Sequence, residues 1–397
     1  MNLTKEEQAV LDGEQGEGKR KAMEILVALG KIYGAERLLP IKNAQIAGVS
    51  YHNLGDAGME FLETLAEEGA KVEVPAMLNP AGMDLIEWKK LGIPEDFAKK
   101  QKRIVDAYVK MGVKPTCTCT PYLVGFRPEY GQHVAWSESS AVTYANSVIG
   151  ARTNREGGPS ALAAAIIGKT PYYGLHLKKN REPTILIQVR TDLERPSDFG
   201  ALGYAIGTQY PNEVPYIIGI STVNESDLKS LSASIVTYGG APLYHIENIT
   251  PEARRKIHPL PKEKGIVEEE EIREAYEAIN DEMEEVEFVC IGCPHCSLEE
   301  IKKIAKLLDG KSVKRETWIA TSRKVKAQAD RRGYTKVIEK AGVKFACDTC
   351  MAVAPLKGRF KSMMSNSAKA SYYARGNNNM KTRFGSIEEC IKTACGG

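Results

Sequence analysis

The stretch VEFVCIGCPHCSLEE, residues 286–300, decides the predicted fold class of this 397-residue chain. Its apolar first part, Val286 to Ile291, predicts a strand, and the GCPHC segment that follows predicts a turn. Ser297 and Glu300 have the spacing of a capping box, which predicts that a helix begins here and continues to Leu308. A strand, a turn and a helix in this order are typical of α/β proteins with parallel strands.

The same alternation recurs before and after this stretch. It predicts strands over 44–49, 71–77, 133–136, 313–320 and 343–346, and one more strand that carries Cys117 and Cys119. Residues 54–69 and 97–111 have helical periodicity. The acidic stretch over 262–287 is interpreted as a solvated helix that joins two bodies. We therefore predict an N-terminal α/β catalytic body over 1–285 and a C-terminal α/β domain over 286–397 that carries the CxxC motifs.

Composition excludes several functional classes. A hydrophobic content of 43% and a charged content of 26% are ordinary for a globular chain with a sizeable core. The net charge of +3 is too small for the electrostatic footprint of a dedicated nucleic-acid binder. No apolar stretch approaches the length of a membrane span, and the charged N-terminus does not resemble a signal peptide. We expect a cytoplasmic protein whose thiols stay reduced.

Seven of the nine cysteines lie in three tight clusters, which are Cys117 and Cys119; Cys290, Cys293 and Cys296; and Cys347 and Cys350. Clustered thiols in a large chain indicate metal or redox chemistry rather than a disulfide framework. All three clusters are predicted to follow strands, at the sheet edge where α/β proteins bind ligands. On an extended chain the first pair would face one side. Cys296 would precede a helix, whose dipole is expected to lower its thiol pKa.

Three kinds of site fit these cysteines. Cys293 and Cys296 have the spacing of a redox-active dithiol, which would make the protein a thiol–disulfide oxidoreductase. The same two residues together with Cys347 and Cys350 could hold a structural zinc ion. Cysteines from separate loops could instead bind an iron–sulfur cluster, and ligation by only three of them would leave one iron open as a Lewis acid.

Six longer motifs resemble the aconitase X branch of the aconitase superfamily. They are AQIAGVSYHNLGDAG, VPAMLNPAGMD, CTCTPY, WSESSAVTYANSVIGARTNREGGPSALAAAIIGKTP, GCPHCSLEEI and ACDTCMA. The resemblance extends from Leu3 to about Gly385. It implies an aconitase-like, multi-layer α/β/α fold with mostly parallel sheets, in a large catalytic subunit without the swivelling domain.

The resemblance also implies a reaction. Archaeal members dehydrate (R)-5-phosphomevalonate to trans-anhydromevalonate 5-phosphate in a modified mevalonate pathway, whereas bacterial members dehydrate cis-3-hydroxy-L-proline. We predict the archaeal reaction and keep the bacterial one as the alternative. The family implies an iron–sulfur cluster as cofactor. The expected form is 4Fe–4S, which can lose one iron and be isolated as 3Fe–4S. The family also implies a heterodimer with a separate small subunit, which supplies the catalytic base.

Site residues are carried over from the family motif by motif. The implied cluster ligands are Cys119, Cys296 and Cys350, with Cys293 and Cys347 as close rivals and Cys117 as a weaker one. The implied catalytic residues are Glu138 and Ser139. The implied substrate contacts are Gly48, Val49, Ser50, Asn79, Pro80 and Lys369. Taken singly, these residues could also serve only as turn, cap or surface residues.

Overall fold

The predicted α/β architecture is confirmed in a computed structural model, which describes all of residues 1–397. Nine of its ten strand pairs are parallel. The strands form four sheets, of two, three, four and five strands. Helices cover these sheets, and the interior is divided among several hydrophobic clusters rather than one. No helix combines the length and the apolarity needed to cross a bilayer.

The first part of the chain is built around a three-stranded parallel sheet. Its helices are α1 (Lys5–Leu11), α2 (Glu17–Ile32), α3 (Tyr51–Glu67), α4 (Glu95–Lys110), α5 (Ser139–Tyr144) and α6 (Gly158–Ile167), and its strands are β1 (Leu38–Pro40), β2 (Ala44–Ile46), β3 (Ala76–Leu78), β4 (Ala135–Trp136) and β5 (Lys169–Pro171). The sheet has the order β3-β2-β4, while β1 and β5 form a separate antiparallel pair. The loops that follow β2, β3 and β4 therefore emerge at one edge of the sheet.

The middle of the chain forms a four-stranded parallel sheet of order β8-β7-β6-β9. Its strands are β6 (Ile185–Val189), β7 (Pro215–Ile218), β8 (His245–Ile246) and β9 (Lys264–Val267), and its helices are α7 (Pro196–Gln209), α8 (Glu225–Gly239), α9 (Pro251–Arg254) and α10 (Glu269–Ile279). Helices α7 and α8 pack closely because glycines face each other across them. A Cβ on Gly207 would lie 2.7 Å from the backbone nitrogen of Gly239.

The last part of the chain is a five-stranded parallel sheet of order β12-β11-β10-β13-β14. Its strands are β10 (Phe288–Cys296), β11 (Glu316–Thr321), β12 (Lys344–Cys347), β13 (Ser362–Ser365) and β14 (Lys381–Phe384), and its helices are α11 (Leu298–Leu308), α12 (Arg323–Arg331), α13 (Tyr334–Lys340), α14 (Ala368–Asn378) and α15 (Ile387–Ala394). The predicted capping box is confirmed, since the Ser297 hydroxyl accepts the Glu300 N–H and the Glu300 carboxylate accepts the Ser297 N–H.

Two of the predictions made around the cysteine motifs, one strand and one turn, differ from the structure. The prediction of a strand carrying Cys117 and Cys119 was wrong, because only Lys114 bridges to Met77 before the chain leaves the sheet. Cys117 has a φ of +43°, which turns the backbone and separates the directions of the two thiols. The predicted GCPHC turn instead belongs to the long central strand β10, which shifts its register against β11 between Ile291 and Cys296.

The interpretation of residues 262–287 as one solvated linker helix was also wrong. The segment contains β9, then α10, and then an irregular stretch. Ala275 and Ile279 on α10 are buried in a small cluster with Ala201, Ala368 and Phe384. One apolar face of this acidic helix therefore packs between the middle and the last part of the chain. The division of the chain at 285/286 stays a prediction.

Candidate active site

A cavity of about 410 Å³ lies where all three parts of the chain meet. Its wall contains the loops that follow β2, β3 and β4, the end of β10, and the first turns of α14. These are the carboxyl ends of parallel strands, where α/β sheets bind ligands. The cavity brings together ten of the eleven predicted site residues: Gly48, Val49, Ser50, Asn79, Pro80, Cys119, Glu138, Ser139, Cys350 and Lys369.

Glu138 and Lys369 form a buried ion pair in this cavity, with side chains 7% and 8% exposed. Glu138 is the N-cap of α5, and its carboxylate accepts the Ala141 N–H at 2.7 Å. The Lys369 ammonium also donates to the Ser139 hydroxyl at 3.1 Å. Burial alone would raise the pKa of Glu138, but the Lys369 charge and the local hydrogen bonds outweigh burial and lower it. Glu138 is therefore an ionised carboxylate held by a charged lysine.

The loop after β2 lines the cavity with residues whose backbone N–H groups have no partner in the protein. The N–H groups of Gly48, Val49 and Ser50 have no acceptor within the protein. Ser50 is the N-cap of α3, where its hydroxyl accepts the His52 N–H at 3.2 Å and donates to the Val353 carbonyl at 2.8 Å. Consecutive free N–H groups at a helix N-terminus favour an anion. This loop can therefore hold a carboxylate or a phosphate.

The cysteine motifs contribute three thiols to the cavity wall. These are Cys119, Cys293 and Cys350, one from each motif. The predicted ligand Cys296 lies outside the cavity wall, in the hydrophobic cluster beneath the last sheet. Cys347 belongs to the same cluster, while Cys117 packs in the first part of the chain. The family motifs had implied Cys296 as the ligand from GCPHC, but it is Cys293 of that motif that lines the cavity. The role of Cys296 as a ligand stays a prediction.

Burial controls the protonation of these thiols. It raises the pKa of Cys119, Cys293, Cys296 and Cys350 alike. The expectation that a helix N-terminus lowers the pKa of Cys296 was therefore wrong. After burial, the Glu300 carboxylate also raises that pKa, and the Lys229 ammonium opposes it. Without a bound cation to stabilise the thiolate, these side chains stay protonated thiols.

A buried histidine connects the three cysteine motifs. The Thr118 hydroxyl lies 3.0 Å from Nδ1 of His295, and Nε2 lies 3.0 Å from the Thr349 carbonyl oxygen. Because a carbonyl can only accept, Nε2 carries the proton and Nδ1 accepts from Thr118. Lys229, which is paired with Glu300, donates to the His295 carbonyl at 3.1 Å. Sequence reasoning missed His295, although its place between two cysteines of GCPHC was a usable signal.

The geometry argues against the zinc and dithiol alternatives. Four sulfurs around one zinc ion lie roughly 3.8 Å apart, given Zn–S bonds of about 2.3 Å in a tetrahedron. No three cysteine sulfurs in this chain lie within 4.8 Å of one another. A redox-active dithiol needs an accessible thiol of low pKa, and both cysteines of CPHC are buried with raised pKa. Thiols from three loops around one cavity suit an iron–sulfur cluster, whose cysteines bind different irons.

Family models match almost the entire chain. Residues 1–179 match the first domain of aconitase X, residues 183–277 the second domain, and residues 286–396 the third domain. The chain belongs to the aconitase X family. This family includes the solved holo-form structure of Thermococcus kodakaraensis aconitase X, with a TM-score of 0.93 and 47% identity over 99% of this chain and 100% of that one. The aconitase-like fold expected from the motifs is thereby confirmed.

Named relatives fall into two groups. This aconitase X chain is 53% identical to the phosphomevalonate dehydratase large subunit of Methanocaldococcus jannaschii, over 99% of the chain and 100% of the relative. It is 52% identical to the corresponding subunit of Methanosarcina mazei, over 100% and 98%. It is 34% identical to the cis-3-hydroxy-L-proline dehydratase of Pseudomonas aeruginosa, over 98% of the chain and 69% of the relative.

One charged residue of the cavity was not predicted from the sequence. Arg155 lies in the wall, two residues before the N-cap of α6, and makes no ion pair or side-chain hydrogen bond. Asn53, on the first turn of α3, is a second polar residue that was missed. Both side chains are exposed in loops or first turns, where a single arginine or asparagine gives no distinctive sequence pattern.

Proposed function

We propose that this chain is the large subunit of a phosphomevalonate dehydratase, which converts (R)-5-phosphomevalonate to trans-anhydromevalonate 5-phosphate and water in a mevalonate pathway. The observation that carries the proposal is the 47–53% identity, over nearly full length, to four archaeal relatives of that name. Identity to the hydroxyproline dehydratases is only 31–34%. Dehydration of cis-3-hydroxy-L-proline is therefore the second candidate.

The cavity supports a dehydration. The substrate loses a tertiary hydroxyl and a proton from the carbon next to its carboxylate, and the two leave as water. An iron–sulfur cluster, when bound, supplies a Lewis acid for the hydroxyl. Cys119 and Cys350 would hold it, with a third thiol from CPHC. We propose Cys293 for that role because it lines the cavity, and we retain the predicted Cys296 as the alternative.

The chain's own residues bind and orient the substrate in this proposal. Ionised Glu138 carries no proton to give, so it would accept a hydrogen bond from the leaving hydroxyl and fix its direction. Lys369 would hold Glu138 in place and compensate its charge, and Ser139 would complete this contact. The free N–H groups of Gly48 to Ser50 would bind an anionic end of the substrate. Asn79 and Pro80 would shape the adjoining wall.

The proton acceptor is proposed to come from the partner. The charged side chains of the cavity are Glu138, Arg155 and Lys369, and Glu138 is engaged by Lys369. A separate small subunit that covers the cavity and supplies the base would complete the site in a heterodimer.

The cytoplasmic location stays a prediction.

The test is a dehydratase assay on protein purified without oxygen, with the small subunit co-expressed. We expect iron and sulfide in the complex, turnover of (R)-5-phosphomevalonate, and far lower kcat/KM with cis-3-hydroxy-L-proline. The large subunit alone should bind iron but not turn over. Preference for hydroxyproline would overturn the substrate assignment, and full turnover by the large subunit alone would overturn the assignment of the base to the partner.

A further inference from the structure

Arg155 is the one cation of the cavity without a counter-charge. The wall contains three charged side chains, and two of them, Glu138 and Lys369, neutralise each other at hydrogen-bond distance. No carboxylate or hydrogen-bond acceptor contacts the Arg155 side chain. The pair also occupies the Lys369 ammonium, since that group already donates to Glu138 and Ser139. An incoming dianion therefore finds an uncommitted positive charge only at Arg155.

The backbone of Arg155 is fixed on both sides although its side chain is exposed. Asn154 is buried, and its side-chain oxygen accepts the Leu175 N–H at 2.8 Å. Glu156 is also buried, and its carboxylate accepts the Ser160 hydroxyl at 2.6 Å. Arg155 itself bridges to Trp136 at the end of β4. Because side chains alternate along an extended segment, anchoring the two neighbours inward directs Arg155 outward into the cavity.

The segment that carries Arg155 packs on the loop with free N–H groups. A Cβ on Gly158 would lie 2.4 Å from the Ala47 carbonyl oxygen and 3.7 Å from Cα of Gly48. Glycine is thus required for the N-terminus of α6 to touch the loop from Gly48 to Ser50. The guanidinium and the three free N–H groups therefore belong to one side of the cavity. Guanidinium and backbone N–H groups together are a frequent donor set for phosphate.

We propose that Arg155 binds the phosphate of the substrate, together with the N–H groups of Gly48 to Ser50, and selects phosphorylated over unphosphorylated hydroxy acids. This inference rests on the proposed function and adds its specificity-determining residue. The guanidinium fork matches two phosphate oxygens, which an ammonium group does not. The phosphate is esterified at a carbon remote from the reacting hydroxyl. Arg155 would therefore contribute to substrate binding and take no part in the dehydration step.

The experiment measures ligand binding by calorimetry on the oxygen-free large subunit, in the presence of its small subunit. The ligands are (R)-5-phosphomevalonate, (R)-mevalonate and inorganic phosphate. The variants are Arg155→Gln, Arg155→Lys and, as a matched control, Arg331→Gln, which changes an exposed arginine on α12 without a side-chain partner. We expect Arg155→Gln to weaken phosphomevalonate binding about 10- to 150-fold, as loss of a charge-assisted contact does. Mevalonate binding should change less than about twofold, and Arg155→Lys should be intermediate.

The outcomes separate this inference from the proposed function. A wild-type complex that binds or dehydrates phosphomevalonate no better than mevalonate overturns the proposed function. If the wild-type complex prefers phosphomevalonate and the Arg155→Gln variant keeps that preference, only the Arg155 assignment is overturned. The Arg155 assignment is also overturned if the substitution weakens the binding of phosphomevalonate and of mevalonate equally. The same holds if the variant loses binding of the small subunit but keeps its selectivity for the phosphorylated ligand. Loss of inorganic phosphate competition in Arg155→Gln supports the assignment.

Discussion

The backbone N–H of His295 donates a hydrogen bond to the sulfur of Cys119 at 3.2 Å. This contact joins the GCPHC motif to the CTCTPY motif, and the His295 ring joins both to the Thr349 carbonyl in the third motif. Hydrogen bonds to ligand sulfurs tune the reduction potential of iron–sulfur clusters. His295, which contacts all three cysteine motifs, is thus placed to set both their relative positions and the electronic character of Cys119.

We expect His295→Ala to destabilise the protein by about 2–4 kcal/mol, because it leaves the Thr349 carbonyl and the Thr118 hydroxyl buried without this partner. Denaturant unfolding of the metal-free protein measures the loss. His295→Gln can still donate toward Thr349, so it should recover part of the stability and of the iron content. Its cluster should show an altered electron paramagnetic resonance spectrum and reduction potential. Identical spectra in wild type and His295→Gln would contradict a tuning role.

Serine substitution of each cysteine should identify the thiols that bind iron. We expect Cys119→Ser, Cys350→Ser and Cys293→Ser to lose most of the bound iron, because these side chains line the cavity. Cys390→Ser, a buried cysteine of the last core, is the matched control. Iron and sulfide analysis on protein purified without oxygen gives the answer. Iron loss in Cys296→Ser together with retention in Cys293→Ser would restore the assignment made from the motifs.

Removing one partner of the Glu138–Lys369 pair should lower the free energy of unfolding more than removing both partners does. Lys369→Met leaves a buried carboxylate without its counter-charge, and we expect a loss of about 3–5 kcal/mol. The double variant Glu138→Gln with Lys369→Met should regain part of this stability, while dehydratase activity stays absent. Unfolding free energies of the two single variants and the double variant close a double-mutant cycle. Additive losses would mean that the two side chains do not interact.

Stability should fall as the pH drops below about 6.5, the ordinary histidine pKa. Burial lowers the pKa of His176 to about 3 and that of His245 to about 4. The native state therefore binds fewer protons than the unfolded state between these values and 6.5, so acid favours unfolding. The two histidines together contribute a slope of up to about 2.7 kcal/mol per pH unit near pH 5.

His245→Gln provides the control for this linkage. Its amide can still donate to the Arg181 carbonyl, which His245 Nε2 contacts at 2.9 Å, but it does not titrate. The difference between wild-type and variant unfolding free energies should change by about 1.4 kcal/mol per pH unit between pH 6 and pH 5. A constant difference over this range would show that His245 titrates normally in the folded protein.

Gly158→Ala should disturb the loop from Gly48 to Ser50, because the added Cβ would meet the Ala47 carbonyl at 2.4 Å. We expect weaker binding of phosphomevalonate and a stability loss of about 1–3 kcal/mol from overpacking. Gly157→Ala is the neighbouring control, since the nearest contact of its added Cβ would be the Ser160 hydroxyl oxygen at 3.7 Å. Calorimetry and thermal unfolding of both variants measure the effects, and equal behaviour of the two would contradict the close packing of α6 on the loop.

The amino-acid sequence by itself determined the α/β class, the capped helix after GCPHC and the family. These follow from local order along the chain: apolar runs, helix caps and long motifs need no knowledge of distant contacts. The predicted loop residues also converge, because the carboxyl ends of parallel strands share one sheet edge. The family motifs assigned Gly48, Asn79 and Glu138 to one site, and this geometric rule is the physical reason why they meet.

Only the tertiary structure decided which side each cysteine and each charge faces. The positive φ of Cys117 turns it away from Cys119. Cys293 and Cys296 are both buried, but Cys293 lines the cavity while Cys296 packs in the hydrophobic cluster of the last sheet. Lys369 meets Glu138 across 231 residues of sequence, which leaves Arg155 as the unpaired cation. Such relationships depend on backbone turns and on long-range packing. Local secondary-structure propensity does not encode them. The direction of a side chain at the cavity wall depends on the neighbouring residues that the tertiary fold places against it.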